Sequence, residues 1–128
     1  QAEHRPDRWR SIVQEAVEQC ERLWAPELPE LRAVDDWWEA PDGSDLRMIA
    51  VARAAEITPL SVLLADQASA DQSIWLAIGP EGGWSERELA AAAAAGWVPV
   101  SLGGTILRSS TAAVAGITSL TNWRTLRC

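Results

Sequence analysis

The sequence predicts an α/β fold built on a parallel sheet. Strand-length apolar runs (Leu46 to Ala52, Ile74 to Ile78, Trp97 to Leu102) alternate with helix-length segments, the pattern of a sheet with helical crossovers. Ile74 to Ile78 is continuously apolar, which suits a strand covered on both faces. Two of the runs end in glycine-bearing loops, and two of the helical segments open on serine. A length of 128 residues is one domain's worth of chain, enough for a core.

The elements follow in order. Residues 1–7 are polar and expected to fray. Trp9, Ile12, Val13, Ala16, Val17, Cys20 and Leu23 recur at helical spacing, so Arg8 to Leu23 is predicted helical. Pro26 and Pro29 end it. Leu31 to Val34 is expected to be a short extended piece, and Asp35 to Glu39 a helical turn stopped by Pro41-Asp42-Gly43. Leu46 to Ala52 is the first buried strand. Thr58-Pro59 opens a helix to about Gln67, with proline near the first turn. Asp66 to Asp71 is a polar linker into the strand Ile74 to Ile78.

Ser85 stands three residues before Glu88, the capping-box spacing. The alanine-rich helix that follows runs to Ala95 and closes at Gly96. Trp97 to Leu102 is a further strand, weakened by Pro99. Ser109 or Ser110 caps a last helix from about Thr111 to Trp123.

Composition narrows the function classes. The net charge of −7 argues against a general nucleic-acid clamp. All 11 basic residues are arginine, the side chain suited to bidentate contacts with phosphate or base edges. From Ser101 onward there are three, Arg108, Arg124 and Arg127, and no acid. A solvated surface explains that tail equally well. Eight tryptophans stand in for all Tyr and Phe, and most are expected to anchor a core or interface. No apolar run reaches the roughly 20 residues that span a membrane, and no signal segment opens the chain.

Cys20 and Cys128 form neither a metal spacing nor a disulfide framework, and the reading is a reduced, cytoplasmic protein. His and Cys are too few and scattered for a metal centre, so no metal is expected. His4, the one histidine, lies in the polar N-terminus and cannot complete a triad there. The sequence opens on Gln1, so a fragment or a processed chain is expected.

The two glycine loops are the candidate site. An open α/β sheet binds ligands outside the carboxyl ends of its strands. Gly79, Gly82 and Gly83 let a ligand approach the main chain. If the strands Ile74 to Ile78 and Trp97 to Leu102 are neighbours, Gly79–Trp84 and Leu102–Arg108 meet at one edge. Together they offer backbone N–H and C=O groups and few ionisable side chains, which suits a polar heterocycle. There is neither a Walker lysine nor a Gly-x-Gly-x-x-Gly, so triphosphate and dinucleotide readings are poor. From the first loop alone, a plain βα turn fits as well as a ligand site. Arg108 precedes a helix start and would grip a phosphate or a developing negative charge. An ion pair with Glu81 or simple exposure accounts for it equally. Glu81 is either a base or an acceptor for backbone amides.

The run Ile78-Gly79-Pro80-Glu81-Gly82-Gly83-Trp84-Ser85-x-x-Glu88, followed by Leu102-Gly103-x-x-Ile106-Leu107-Arg108-x-x-Thr111-Ala112, resembles the paired signature of a SPOUT-class family. That family is the 16S ribosomal RNA uridine N3-methyltransferases (RsmE-like). Arg8-Trp9-x-x-Ile12-x-x-Glu15-Ala16-x-Glu18-Gln19-Cys20-x-Arg22-x-x-x-Pro26 resembles the helix that precedes the family's core. The likeness covers nearly the whole chain, and residues 1–128 are read as one partial SPOUT methyltransferase domain.

The resemblance implies a parallel sheet flanked by helices and closed by a C-terminal trefoil knot, a rare exception to ordinary connection rules. It implies S-adenosylmethionine as cofactor, held by Leu76, Ile78, Gly79, Pro80, Glu81, Gly82 and Gly83 in the first loop. In the second, Leu102, Gly103, Ile106, Leu107 and Arg108 would hold it, with Arg108 also catalytic. It implies methyl transfer to N3 of a uridine in 16S ribosomal RNA, the small ribosomal subunit as partner, and a homodimer with the final helix at or near the interface.

Three departures stand against the pattern. The family's N-terminal barrel-like RNA-binding domain is expected to be missing from these 128 residues. The first strand and helix of the knotted domain are expected to be missing. The family's Arg-Thr-Glu-Thr run is here Arg108-Ser109-Ser110-Thr111, without its acid. Two other readings stay open: a non-catalytic or truncated SPOUT module that binds the cofactor, and a SPOUT methyltransferase with another RNA substrate.

Overall fold

The computed structural model describes residues 27, 29–52, 57–69, 71–80, 82–102 and 109–127, without the side chains of 109, 110 and 127. The chain divides into two compact units, Gln1–Val34 and Asp35–Cys128. The helix predicted over Arg8 to Leu23, with His4 and Cys20, lies outside the described residues, as does Cys128. Residues 31–33 form no strand; Val34–Asp36 is instead a short 3₁₀ turn.

The second unit holds a three-stranded parallel sheet. Its strands are β1 (Leu46–Ala50), β2 (Ile74–Ala77) and β3 (Val98–Val100), in the order β2-β1-β3. Register runs Leu46 to Ile74 on one side and Met48 to Val98 on the other. Between the strands run α1 (Leu60–Gln67) and α2 (Glu86–Ala94), and α3 (Ser109–Arg127) closes the chain.

The sheet corrects the expected centre. Ile74 to Ile78 was the continuous apolar run, yet β2 lies at the edge of the described sheet and all four of its residues are half-buried. β1 is central, with Met48 and Ile49 sealed from solvent, because it alone is paired on both sides. β1 also stops at Ala50, short of the predicted Ala52. Its last ladder bond runs from Val51 N–H to the Val100 carbonyl, 2.9 Å. Ser101 then turns away: its N–H donates to Thr58 O and its carbonyl accepts from Leu60 N–H. With β3's groups spent on the start of α1, β1 has no partner to extend against. Pro99 is tolerated because β3 is the other edge of the described sheet, where a missing N–H costs no ladder bond.

The two faces of β1 build two different layers. Leu46 and Met48 point to an aliphatic core with Leu60, Leu63 and Leu64 of α1 and Val100 of β3. Leu76 of β2 and Leu120 and Trp123 of α3 pack against it. Each such side chain contributes about 1.5–3 kcal/mol when fully buried. The opposite face carries Arg47 and Ile49 and is lined by tryptophan. Trp38 and Trp97 are buried there, at 5.2 Å between ring centroids, and the Trp97 indole donates to the Trp38 carbonyl at 2.9 Å. The expectation that tryptophans anchor cores holds fully for these two. Trp37, Trp75, Trp84 and Trp123 are half-buried, and Trp9 and Trp24 lie outside the described residues.

Helix ends follow local chemistry with small shifts. Pro59 is the N-cap of α1 rather than a first-turn residue, and α1 begins at Leu60. Asp66 and Gln67 belong to that helix, so the linker begins at Ala68. α3 begins at Ser109, at or just before the predicted start, and reaches Arg127, four residues beyond the predicted Trp123.

α2 has both of its predicted ends. Ser85 Oγ accepts from Glu88 N–H at 3.1 Å, and Glu88 Oε1 accepts from Ser85 N–H at 2.8 Å, satisfying two donors that a helix start leaves open. At the other end Gly96 has φ +89°. Trp97 N–H reaches the Ala92 carbonyl and Gly96 N–H the Ala93 carbonyl, the paired bonds of a Schellman turn.

Arg47 clamps this turn. Its guanidinium donates to Ala95 O at 2.7 Å and to the carbonyls of Asp42 and Gly43 at 3.0 Å. A Cβ on Gly96 would sit 2.9 Å from Arg47 Nη1. Gly96→Ala is therefore expected to cost about 2–3 kcal/mol, from the left-handed backbone and from displacing the clamp. A urea unfolding curve checks it; a loss below about 0.5 kcal/mol, the range of an ordinary surface change, contradicts the account.

Candidate cofactor-binding edge

Parallel strands end on one side, so Ala50, Ala77 and Val100 bring three loops to one carboxyl edge. The two glycine loops therefore share an edge, but their strands are not neighbours, because β1 stands between them. The chain following β2 bridges that gap. Pro80 O accepts from Gly83 N–H at 2.9 Å, closing a tight turn, and Gly83 has φ +83°. Trp84 then leans back across the sheet, and its Nε1–H donates to Ala50 O, the last carbonyl of β1, at 3.0 Å.

The glycines differ in what they do. A Cβ on Gly79 would lie 2.8 Å from Trp84 Cε2, so Gly79 makes room for the indole. Gly83 is required by its left-handed backbone. Gly82 is exposed, and a Cβ there would meet nothing within 4 Å. Open main chain beside the end of a central strand is where a flat polar ligand can take backbone hydrogen bonds. These residues fit S-adenosylmethionine by that criterion: a tight turn without bulky side chains, with free approach at Gly82.

Other predicted site residues fall differently. Leu76 belongs to the wall of the aliphatic core, and its Cδ2 would be 2.5 Å from a Cβ on Gly116 of α3. Ile78 Cδ1 would be 3.7 Å from the same point. The Leu76 side chain thus serves helix packing, and its main chain lies within the β1–β2 ladder. Leu102 is half-buried and packs on the same core. Pro80 is exposed beside the turn. Glu81, Gly103, Ile106, Leu107 and Arg108 lie outside the described residues.

Arg124 is not brought to this edge. It donates to Gln72 O at 2.8 Å, two residues before β2 begins and so at the amino side of the sheet. An open cleft of about 390 Å³ lined by Ile74, Leu120, Thr121, Arg124 and Thr125 lies there too, away from the glycine turn. Among the described residues, no group of three or more His, Cys, Asp or Glu is placed to hold a metal ion. Among the same residues no helix is long and apolar enough to cross a membrane.

The model of the RNA methyltransferase domain family matches residues 1–121. The chain belongs to the RNA methyltransferase domain family. A Synechocystis relative named ribosomal RNA small subunit methyltransferase E is 35% identical over 120 residues, 93% of this chain and 39% of its own length. The structure of a ribosomal RNA small subunit methyltransferase E from Neisseria gonorrhoeae, bound to S-adenosylmethionine, superposes with TM-score 0.81 at 29% identity, covering 93% of this chain and 48% of that one. A Legionella pneumophila protein in complex with the same cofactor gives TM-score 0.78 at 29% identity, over 93% and 46%. The chain thus spans less than half the length of each.

Within this family domain the glycine loop is the part that the sequence exposed most clearly. What it did not expose is Trp84's bond to β1. The one available signal was a tryptophan directly after paired glycines, a place where a turn has little apolar surface to need one.

Proposed function

We propose that this chain is the cofactor-binding, catalytic part of an S-adenosylmethionine-dependent methyltransferase acting on N3 of a uridine in 16S ribosomal RNA. The observation that carries the proposal is the open glycine turn at the carboxyl edge, lying in a domain of the RNA methyltransferase family. The similar Neisseria and Legionella structures, both with S-adenosylmethionine, support it. The name of the Synechocystis relative supports small-subunit ribosomal RNA as substrate.

In this reading the loops at 76–83 and 102–108 hold the cofactor, and the domain carries a C-terminal trefoil knot. The cofactor supplies an electrophilic methyl group on a sulfonium. The N3–methyl bond forms as the methyl–sulfur bond breaks, S-adenosylhomocysteine leaves, and the N3 proton passes to a base. The chain's contribution is placement: bringing two reactants into line replaces a bimolecular encounter. Arg108 stabilises negative charge spreading to the ring oxygens of the uracil. The site belongs to the cytoplasm, where ribosomal RNA is modified.

A homodimer through the last helix is part of the proposal, and the exposure of α3 supports one of its faces for that role. Ala112 and Gly116 are buried, and Leu120 and Trp123 pack on the chain's own core. Val114, Ile117 and Leu126 are 68%, 62% and 86% exposed, so these are the large apolar side chains that α3 offers a partner copy, Val114 and Ile117 lying one turn apart. Light scattering at micromolar concentration is expected to give the dimer mass for the unaltered chain and a monomer for the Val114→Glu, Ile117→Glu double variant. A monomer mass for the unaltered chain overturns this part.

RNA encounter is expected to be the weak step of this chain by itself. Phosphate contacts supply most nonspecific affinity and need basic side chains, whereas this chain carries −7. Methyl transfer from labelled cofactor to small-subunit particles is expected to be at least about tenfold slower than for the full-length Synechocystis relative, since acidic bodies slow encounter with RNA. Equal turnover would show that the 128 residues carry RNA recognition themselves.

A further inference from the structure

The described residues hold one side chain that ties the proposed cofactor turn to the rest of the fold, and it is Trp84. We infer that Trp84 is a positioning residue for S-adenosylmethionine: its indole wedges between Gly79 and the end of β1 and so sets the turn through Gly83. The inference rests on the cofactor reading above and adds a residue to which that reading gives no role.

Three contacts converge on the indole. Its ring lies against Gly79, where even a methyl group would be 2.8 Å from Cε2. Its Nε1–H is spent on Ala50 O. Its face meets Trp38 at 5.6 Å between centroids, tilted by 58°. Trp38 in turn is 3% exposed and packs edge-on against Trp97. Directly after Trp84, the Ser85–Glu88 capping box pins the chain into α2.

The turn therefore hangs between two fixed points, the end of β2 and the Trp84 ring. Turns rich in glycine lose more freedom on ordering than any other sequence, and a turn that must be ordered on binding weakens affinity. A rigid aromatic wedge at its base removes part of that loss beforehand. Trp84 is only half-buried, so filling the core does not by itself account for a side chain this large. The bond to Ala50 O also sets a distance between the first glycine turn and the centre of the sheet, the gap that β1 opens between the two loops.

The test compares Trp84→Phe, Trp84→Ala and Trp97→Phe in the whole chain. Phenylalanine at 84 keeps a ring against Gly79 and Trp38 but loses the bond to Ala50 O. Trp97→Phe removes the bond to Trp38 O at the far end of the same tryptophan run. S-adenosylmethionine affinity is measured calorimetrically at a temperature where circular dichroism shows each variant folded, so a loss of stability alone leaves it unchanged. Affinity is expected to fall about threefold in Trp84→Phe and about tenfold or more in Trp84→Ala, the scale of a lost hydrogen bond and of lost pre-organisation. Trp97→Phe is expected to lower the melting temperature with affinity within about twofold of the unaltered chain. Unchanged affinity in both Trp84 variants, or an equal fall in Trp97→Phe, overturns the inference while leaving the cofactor site in place. Absence of binding by the unaltered chain overturns the cofactor reading itself, and the inference with it.

Discussion

Gly82→Val is expected to weaken S-adenosylmethionine binding by about tenfold or more while leaving stability nearly unchanged. The two halves of this expectation come from the same observation. A Cβ at Gly82 meets nothing within 4 Å of the chain itself, and Gly82 is exposed outside regular structure. Exposed substitutions of that kind move stability by about 0.5 kcal/mol or less. The space they fill is the space the ligand would enter. Forcing extra carbon atoms into a fitted contact costs about 1–3 kcal/mol, and each 1.4 kcal/mol is about tenfold in affinity. Gly79→Val would be a poorer test, because it strikes Trp84 and disturbs fold and site together. Calorimetry with thermal unfolding of the same sample separates the outcomes. Unchanged affinity would place the cofactor away from Gly82, and a large fall in melting temperature would show that the turn packs against something not visible in its surroundings.

Trp38→Ala is expected to lose about 3–5 kcal/mol, the range for removing a buried aromatic ring. Trp38 is the middle member of the tryptophan run, 3% exposed and in ring contact with both Trp84 and Trp97. A domain of this size has about 5–15 kcal/mol in all, so the variant should unfold at far lower urea. Trp38→Phe should cost less, below about 2 kcal/mol, as a smaller ring in the same place. The reason lies in hydrogen bonding. Among the described residues the Trp38 indole N–H has no partner, so a phenyl ring removes no bond there and relieves a buried orphan donor. A Trp38→Phe loss as large as that of Trp38→Ala would show that the indole nitrogen is bonded in solution.

The parts of the fold legible in the sequence are those decided within a few residues. Ser85 and Glu88 close a capping box wherever a helix begins there, and Gly96 takes a left-handed turn because it alone lacks a Cβ. Both appear as read. The apolar runs announced strands, and their alternation with helices announced parallel pairing. Strand order was not legible, because any of three similar apolar runs can occupy the centre, and the choice depends on which can be covered on both edges. β1 takes the centre although it carries an arginine within it. Arg47 is accommodated because three carbonyls, of Asp42, Gly43 and Ala95, converge on its guanidinium, and only the finished fold brings them together.

For the site, the sequence by itself determined that a glycine-rich turn follows a strand and precedes a helix, since those are local preferences of backbone and cap. It also marked Gly79, Gly82 and Gly83 alike as points where a ligand could approach the main chain. Which glycine opens toward ligand and which toward its own fold was decided by tertiary structure. Gly79 and Gly82 are three residues apart and chemically identical, yet one faces an indole at 2.8 Å and the other faces open space. Likewise Ala112, Ala113, Ala115 and Gly116 leave a stretch of α3 small-sided, and sequence does not name the surface that such a stretch approaches. Gly116 meets Leu76 of its own sheet, because a helix without a side chain at that point can lie closer to a strand than any neighbouring molecule needs to come. Local sequence sets what each backbone segment can do; the partner each one meets is set by the long-range packing of β1 between its two neighbours.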